Sequence, residues 1–237
     1  MPEPRYQRIL LKVSGEVLAG GLGFGIDTER IHELAEEIVE VHHAGVQLGI
    51  VVGGGNFFRG VAAAVRQLER VTADSMGMLA TVINCLAMQD ALEKKGSPTR
   101  VMSAIHMNQV AEPYIRRRAL RHMEKGRIVV FGGGTSNPFF STDSAGALRA
   151  LEIHAAVFAK ATGVEGVYDK DPRTNPDAVL YRRIGYQDVL AKALGVMDAS
   201  AVAMCRDNRL PVVVFNLNRR GNILRMAMGE DVGTLIE

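Results

Sequence analysis

Apolar residues in this chain fall into two interleaved patterns. Short, nearly unbroken runs mark buried strands, and longer stretches in which they recur every third or fourth position mark amphipathic helices. RILLKV, Arg8 to Val13, predicts the first strand, with Lys12 near its end and Ser14-Gly15 as the turn that follows. Asp27 can cap a helix whose positions Ile31, Leu34, Ala35, Ile38 and Val41 keep helical spacing until Gly45. Val46 to Val52 predicts a second strand, so the chain opens with the strand–helix–strand unit of a parallel sheet. Next come a short helix over Val61 to Leu68 and a long one from Ala73 to Lys95, stopped by Gly96 and Pro98. A strand at Thr99 to Met102, a helix over Ala111 to Lys125 and a strand at Arg127 to Phe131 lead to a helix that Thr142 can cap. The remainder predicts strands at Ala156 to Lys160, Pro211 to Phe215 and Gly233 to Ile236, and helices at Tyr186 to Ala193, Asp198 to Arg209 and Asn222 to Met228. The fold class is α/β.

Two glycine-rich stretches interrupt this pattern. Ile50 to Gly60, IVVGGGNFFRG, runs from an apolar strand into three glycines and Arg59; Ile128 to Phe140, IVVFGGGTSNPFF, repeats the order. Glycine permits close approach of the backbone to a ligand, and a row of exposed N–H groups makes an anion-binding concavity. Both stretches leave the carboxyl ends of strands, where open α/β sheets bind ligands, so the two loops are expected to face one cleft. A helix starting at Thr142 adds its N-terminal dipole to the anion-binding character. Thr162 to Ala178, TGVEGVYDKDPRTNPDA, predicts a long loop of functional kind. The run MGMLATVINCLAM in the long helix is apolar on more than one side, which predicts burial in a core or, as favoured here, at an oligomer interface.

Composition narrows the class. The 237 residues are 47% hydrophobic and 23% charged, as in a globular protein, and no apolar run approaches the roughly 20 residues that span a bilayer. MPEPRYQRILLKVSGE lacks the apolar segment of a secretory signal, so a cytoplasmic address is expected, with no membrane role. Cys85 and Cys205 stand far apart, predicting reduced core thiols rather than a disulfide or metal motif. A net charge of +2 does not call for nucleic acid, and Arg116-Arg117-Arg118 reads as a solvated helix face or subunit contact because no aromatic residues interleave with it.

Neither the P-loop pattern G-x-x-x-x-G-K-[ST] nor the dinucleotide pattern G-x-G-x-x-G is present, and no histidine or serine motif of a metal or serine hydrolase occurs. What remains is Lys12, Arg59, two glycine loops, a helix start at Thr142, and the carboxylates Asp74, Asp143, Asp171 and Asp198. Each has an ordinary structural alternative: a strand-end lysine, helix caps at Asp74 and Asp198, a turn at Asp171. Together they form a charge-stabilising set suited to phosphoryl transfer, which needs positioning and neutralisation more than covalent participation.

The order of motifs, KVSGE, GFGID, GGGNFFRG, ADSMGMLATVIN, GGGTSNPFFSTDSA, KATGVEGVYDKDP and VMD, resembles the bacterial uridylate kinases of the amino-acid-kinase family over nearly the whole chain. The resemblance implies a three-layer αβα sandwich with an open, mainly parallel sheet, one domain over 1–237, with an acceptor part over about 1–155 and a donor part over about 156–237. It implies transfer of the γ-phosphoryl group of ATP to UMP with magnesium, in a homohexamer. By matching position, Lys12, Ser14, Gly15 and Gly55 would contact the ATP phosphates, Arg59 would sit between the nucleotides, and Thr162, Tyr168 and Asp171 would frame adenine and ribose. Gly54 and Asp74 would meet UMP, with Thr135, Ser136, Asn137, Pro138, Phe139, Phe140, Ser141 and Thr142 enclosing its uracil, ribose and phosphate. Asp143 and Asp198 would orient Lys12 and organise the magnesium-bound phosphates, with no direct protein ligand to the metal expected. GTP activation and UTP inhibition are implied too, through Gly20, Gly21, Leu22, Gly23, Phe24, Gly25 and Arg100, although Gln89 and Glu93 stand where some relatives carry basic residues. Two rivals are a carboxylate or carbamate kinase of the same fold, such as an acetylglutamate kinase, and a non-catalytic nucleotide-binding or storage protein. The Asn137-Pro138-Phe139-Phe140 loop with Asp74 speaks against the first. Lys12, Arg59 and Asp198 together speak against the second.

Overall fold

The computed structural model of the chain describes residues 3–58 and 68–237. Strand β1 (Arg8–Val13) runs directly into a one-turn helix α1 (Gly15–Leu18), where a bare turn was expected, and then to α2 (Thr28–His43) and β2 (Gln47–Val52). Asp27 caps α2 as expected, its carboxylate accepting from the N–H groups of Glu29 and Arg30 at 3.0 and 3.3 Å. A further turn, α3 (Gly55–Phe58), follows the first triple glycine. The helix expected over Val61 to Leu68 falls, save for its last residue, outside the described residues.

The long helix α4 (Arg70–Lys94) begins three residues before the expected Ala73. After β3 (Thr99–Ser103), the helix expected over Ala111 to Lys125 is shorter: α5 spans Arg116–Glu124, and Glu112–Pro113 forms an edge strand, β4. Proline explains the difference, since Pro113 lacks an amide donor and drives the residue before it into extended backbone. Next come β5 (Ile128–Gly132), α6 (Thr142–Glu152), β6 (Val157–Thr162) and a small hairpin of β7 (Val167–Tyr168) and β8 (Leu180–Tyr181), the first strand of which lies inside the expected long loop. Strand β9 (Arg183–Ile184), helices α7 (Tyr186–Ala191) and α8 (Ala199–Asp207), β10 (Val212–Asn216), α9 (Asn222–Ala227) and β11 (Thr234–Ile236) complete the chain.

Nine strands form one sheet in the order β4-β3-β5-β2-β1-β6-β10-β11-β9, parallel except for the antiparallel pair β10/β11. Successive residues of a strand face opposite layers. Ile9, Leu11 and Val13 join a core with α2, α4 and α9, whereas Leu10 and Phe158 belong to a second core with α5, α6, α7 and α8. The result is the αβα sandwich expected for the family. The connection from β1 to β2 covers one face and that from β6 to β10 covers the other, so β1 and β6 flank the point where the winding reverses, the place where such sheets open a ligand crevice. As a whole, α4 is long and apolar enough to cross a membrane, which its broken apolar runs did not show, but it packs against α2 and β5 within the fold.

Candidate active site

Lys12 and Lys160 are register partners at the carboxyl ends of β1 and β6. Both lie in phase with Leu10 and Phe158, and so project from the face that α6 covers. Asp143, in the first turn of α6, stands between them: Lys12 Nζ is 2.9 Å from Oδ1, and Lys160 Nζ donates to Oδ2 and to the Val196 carbonyl. All three side chains are about one-tenth exposed. Burial pushes the Asp143 carboxyl up, but the charges of Lys12 and Lys160 outweigh it and hold the group below the usual carboxylate range. Lys160 is driven down, first by burial, with Asp143 opposing and Lys12 adding to the depression.

The start of α6 also corrects one expectation. Its cap is Ser141, whose hydroxyl oxygen accepts from the N–H groups of Asp143 and Ser144 at 3.0 and 3.4 Å; Thr142 is the first helical residue. The same Ser141 hydroxyl donates to Asp198, which precedes α8 without capping it. Burial and the charge of Asp143 raise the Asp198 carboxyl. Two buried lysines thus share one carboxylate held below its usual range at the positive end of a helix, with Asp198 close enough to act on both lysines.

The glycines divide by reason. A Cβ on Gly15 would stand 2.2 Å from the Gly53 carbonyl oxygen, and one on Gly54 would stand 2.7 Å from the carbonyl of Gly77 on α4. Backbone pressing on the chain's own backbone, rather than on a ligand alone, therefore accounts for these two. A Cβ on Gly55 would stand 3.3 Å from Cγ of Glu16. Buried Asn84 donates to the Gly53 carbonyl at 2.7 Å and exchanges hydrogen bonds of 2.8 and 2.9 Å with Asn56, which donates in turn to the Gly25 carbonyl at 2.8 Å. The Thr142 hydroxyl lies 3.5 Å from where a Gly53 Cβ would stand, so the first glycine loop and the start of α6 share one cleft.

The loop Thr135 to Thr142 closes on itself: the Thr135 hydroxyl accepts from the Asn137 N–H, and the Asn137 amide donates to the Thr135 carbonyl. Ser136 and Phe139 hold φ values of 62° and 71°, in the left-handed region, and Pro138 sits between them. Phe139 and Phe140 expose their rings, and Asp74 on α4 accepts from the Phe139 N–H at 2.7 Å. On the other side a cleft of about 1050 Å³ is lined by Lys12, Ser14, Lys160, Thr162, Tyr168 and Asp171 among others. Within it, Thr162 donates to the Val164 carbonyl and the Asp171 carboxylate accepts from Arg173 N–H.

Of the residues expected around the donor, Lys12, Ser14, Thr162, Tyr168 and Asp171 line this one cleft; Gly15 and Gly55 are not among its lining, and Arg59 lies outside the described residues. Of the residues expected to mediate effector response, Gly20 lines the same cleft and Gly25 is tied to Asn56, with Gly21, Leu22, Gly23 and Phe24 between them. Phe24 packs edge-on to Phe57. Arg100 does not line that cleft; it sits on β3, bonded to Glu93 at 3.2 Å. Lys160 was not foreseen. Its signal was a lysine inside the apolar run VFAKAT, the same irregularity that singled out Lys12 in RILLKV.

A paired-lysine anion site at the switch point of a mostly parallel α/β sandwich defines a phosphate-handling protein. The sequence matches the Amino acid kinase family over residues 7–216, and the chain belongs to that family. It is 54% identical over 235 residues to a uridylate kinase of Dichelobacter nodosus, covering 99% of this chain and 98% of that one. Among solved structures, a UMP kinase from Bacillus anthracis superposes with a TM-score of 0.94 at 42% identity, covering 98% of this chain and 96% of the other. One from Ureaplasma parvum gives 0.91 at 36% identity, covering 98% and 99%.

Proposed function

We propose that this protein is a uridylate kinase, transferring the γ-phosphoryl group of ATP to UMP to give ADP and UDP. The observation that carries the reading is the Lys12–Asp143–Lys160 cluster, joined to relatives of that activity at 54% identity over 99% of the chain. An oxygen of the UMP phosphate is already anionic near neutral pH, so the nucleophile needs no base. The bond from γ-phosphorus to the bridging oxygen breaks as the bond to the UMP oxygen forms, and charge accumulates on the migrating group. Lys12 and Lys160 meet that charge from β1 and β6, and Asp143 holds both ammonium groups in place. Thr162, Tyr168 and Asp171 frame ATP; Gly54, Asp74 and the loop Thr135 to Thr142 receive UMP, and Arg59 would lie between the two.

Magnesium would supply neutralisation of the β- and γ-phosphate oxygens. Among the described residues no three acidic, histidine or cysteine side chains converge, and both Asp143 oxygens face lysines. The residues present would therefore fit a metal carried mainly by the nucleotide, with Asp143 and Asp198 as the nearby carboxylates that would help orient it. Self-association is supported by the exposed apolar side chains Val71, Met76, Leu79 and Ile83 on α4, and its being a homohexamer rests on the resemblance. GTP activation and UTP inhibition rest on the resemblance alone, and the cytoplasmic address on the polar start of the sequence. A coupled ADP-release assay across UMP, CMP, dUMP and acetylglutamate tests the reading: UMP is expected to be strongly preferred, and turnover of acetylglutamate above UMP, or of none of the four, overturns it.

A further inference from the structure

Arg70, in the first turn of α4, stands where a cation is disfavoured, because the helix dipole already places positive charge there. It is nonetheless engaged three ways. Its Nε lies 2.9 Å from each oxygen of Asp74, and its guanidinium carbon lies 5.6 Å from the centre of the Phe139 ring. Asp74 in turn accepts from the Phe139 N–H at 2.7 Å, and Phe139 holds the left-handed backbone, which a bulky residue rarely adopts. The Arg70 side chain is about two-thirds exposed, and an exposed pair four residues apart adds little to stability. What the arrangement does hold is the orientation of one carboxylate against a strained loop.

We infer that Arg70 is a specificity-determining positioning residue of the acceptor end: by clamping Asp74 against Phe139 it leaves the carboxylate, among the described residues, one unfilled acceptor position, for the 2′-hydroxyl of the acceptor's ribose. The inference rests on the reading of Asp74 and the Thr135 to Thr142 loop as the UMP site. A carboxylate offers about four acceptor positions. Arg70 Nε occupies one on each oxygen and the Phe139 N–H takes the second on Oδ2, so the remaining one is on Oδ1. Without Arg70 only the Phe139 N–H still holds the Asp74 carboxylate, which can then turn about that one bond, and the ribose hydroxyl loses an acceptor fixed in advance.

The test compares wild type, Arg70→Ala and Arg70→Lys with UMP and 2′-deoxy-UMP as acceptors, with thermal melting as the control for folding. In Arg70→Ala the ratio of kcat/KM for UMP over 2′-deoxy-UMP is expected to fall about tenfold, mainly through a higher KM for UMP, with KM for ATP unmoved. Arg70→Lys, which keeps the charge but not the planar fork, restores part of the ratio. An unchanged ratio in a folded Arg70→Ala overturns the inference while leaving the kinase reading intact. A wild type that does not phosphorylate UMP overturns that reading instead.

Discussion

Replacing Asp143 by Asn removes the one negative charge between two buried lysines without changing shape. Lys12 and Lys160 are register partners on adjacent strands, each about one-tenth exposed, and both face this carboxylate. Removing one partner of a buried ion pair costs roughly 3–5 kcal/mol, because the other charge stays buried without compensation. Here the asparagine oxygen still accepts one hydrogen bond, and Lys160 keeps the Val196 carbonyl, so the expected loss lies at the lower end of that range. For a chain of this length about 3 kcal/mol corresponds to a fall in Tm of roughly 6–12 °C. The deficit also carries a pH signature. Lys160 is already depressed below the ordinary lysine value of 10.5, and loss of Asp143 removes the largest effect opposing that depression. A base depressed in the folded state binds fewer protons than in the unfolded chain, so stability rises with pH toward 10.5. Melting Asp143→Asn and wild type at neutral pH and again near pH 9.5 should therefore show the gap narrowing at the higher pH. Phosphoryl transfer is expected to drop by about 10² to 10³ in kcat. A Tm within a degree or two of wild type, or a gap independent of pH, would refute the view that Asp143 is the counter-ion of both lysines.

Lys160→Met, which keeps the length of the side chain and removes its charge, is expected to lower kcat by about 10² or more while the protein stays folded, measured by ADP release and by circular dichroism. Ser141→Ala removes the cap of α6 and should cost about 1 kcal/mol in urea unfolding, together with a raised KM for UMP. Gly15→Ala forces a methyl carbon to 2.2 Å from the Gly53 carbonyl oxygen and should cost about 1–3 kcal/mol, read in the same unfolding experiment. His42 donates from Nε2 to the Gly126 carbonyl and accepts at Nδ1 from the Ser97 hydroxyl, and burial depresses its pKa below 6.5. The folded protein then binds fewer protons, so stability is lost as pH falls below 6.5, and His42→Gln should flatten that part of the curve of Tm against pH.

Most strands were legible because burial on both faces of the sheet leaves continuous apolar runs, and the boundaries of β1, β2 and β5 moved by a residue or less from expectation. The shortest strands, β4, β7, β8 and β9, were not, since two residues carry no period; their pairing is set by neighbours distant in sequence. Candidate residues were legible where a polar side chain breaks an apolar run or follows a glycine loop, as Lys12 and Asp143 do. Lys160 breaks its run in the same way, but its weight comes from standing opposite Lys12, a relation that exists only once β1 and β6 pair. The cap at Ser141 escaped for a different reason: Ser141 and Thr142 are both good caps, and only the backbone decides which of them stays outside the helix.

The first triple glycine now has a more specific role than close approach to a ligand. The C=O and N–H of a trans peptide point in opposite directions. Asn84 holds the Gly53 carbonyl toward the buried amide pair at 2.7 Å, so the N–H of Gly54 must point away from that pair. Among the described residues it has no acceptor, and under the proposed function this is the donor offered to a phosphate oxygen. The absence of side chains at Gly15 and Gly54 allows β1, the loop and α4 to pack closely enough for Asn84 to reach the carbonyl. Glycine at these positions therefore acts on the anion site at one remove: it lets the chain fix a peptide plane, and the fixed plane presents the donor.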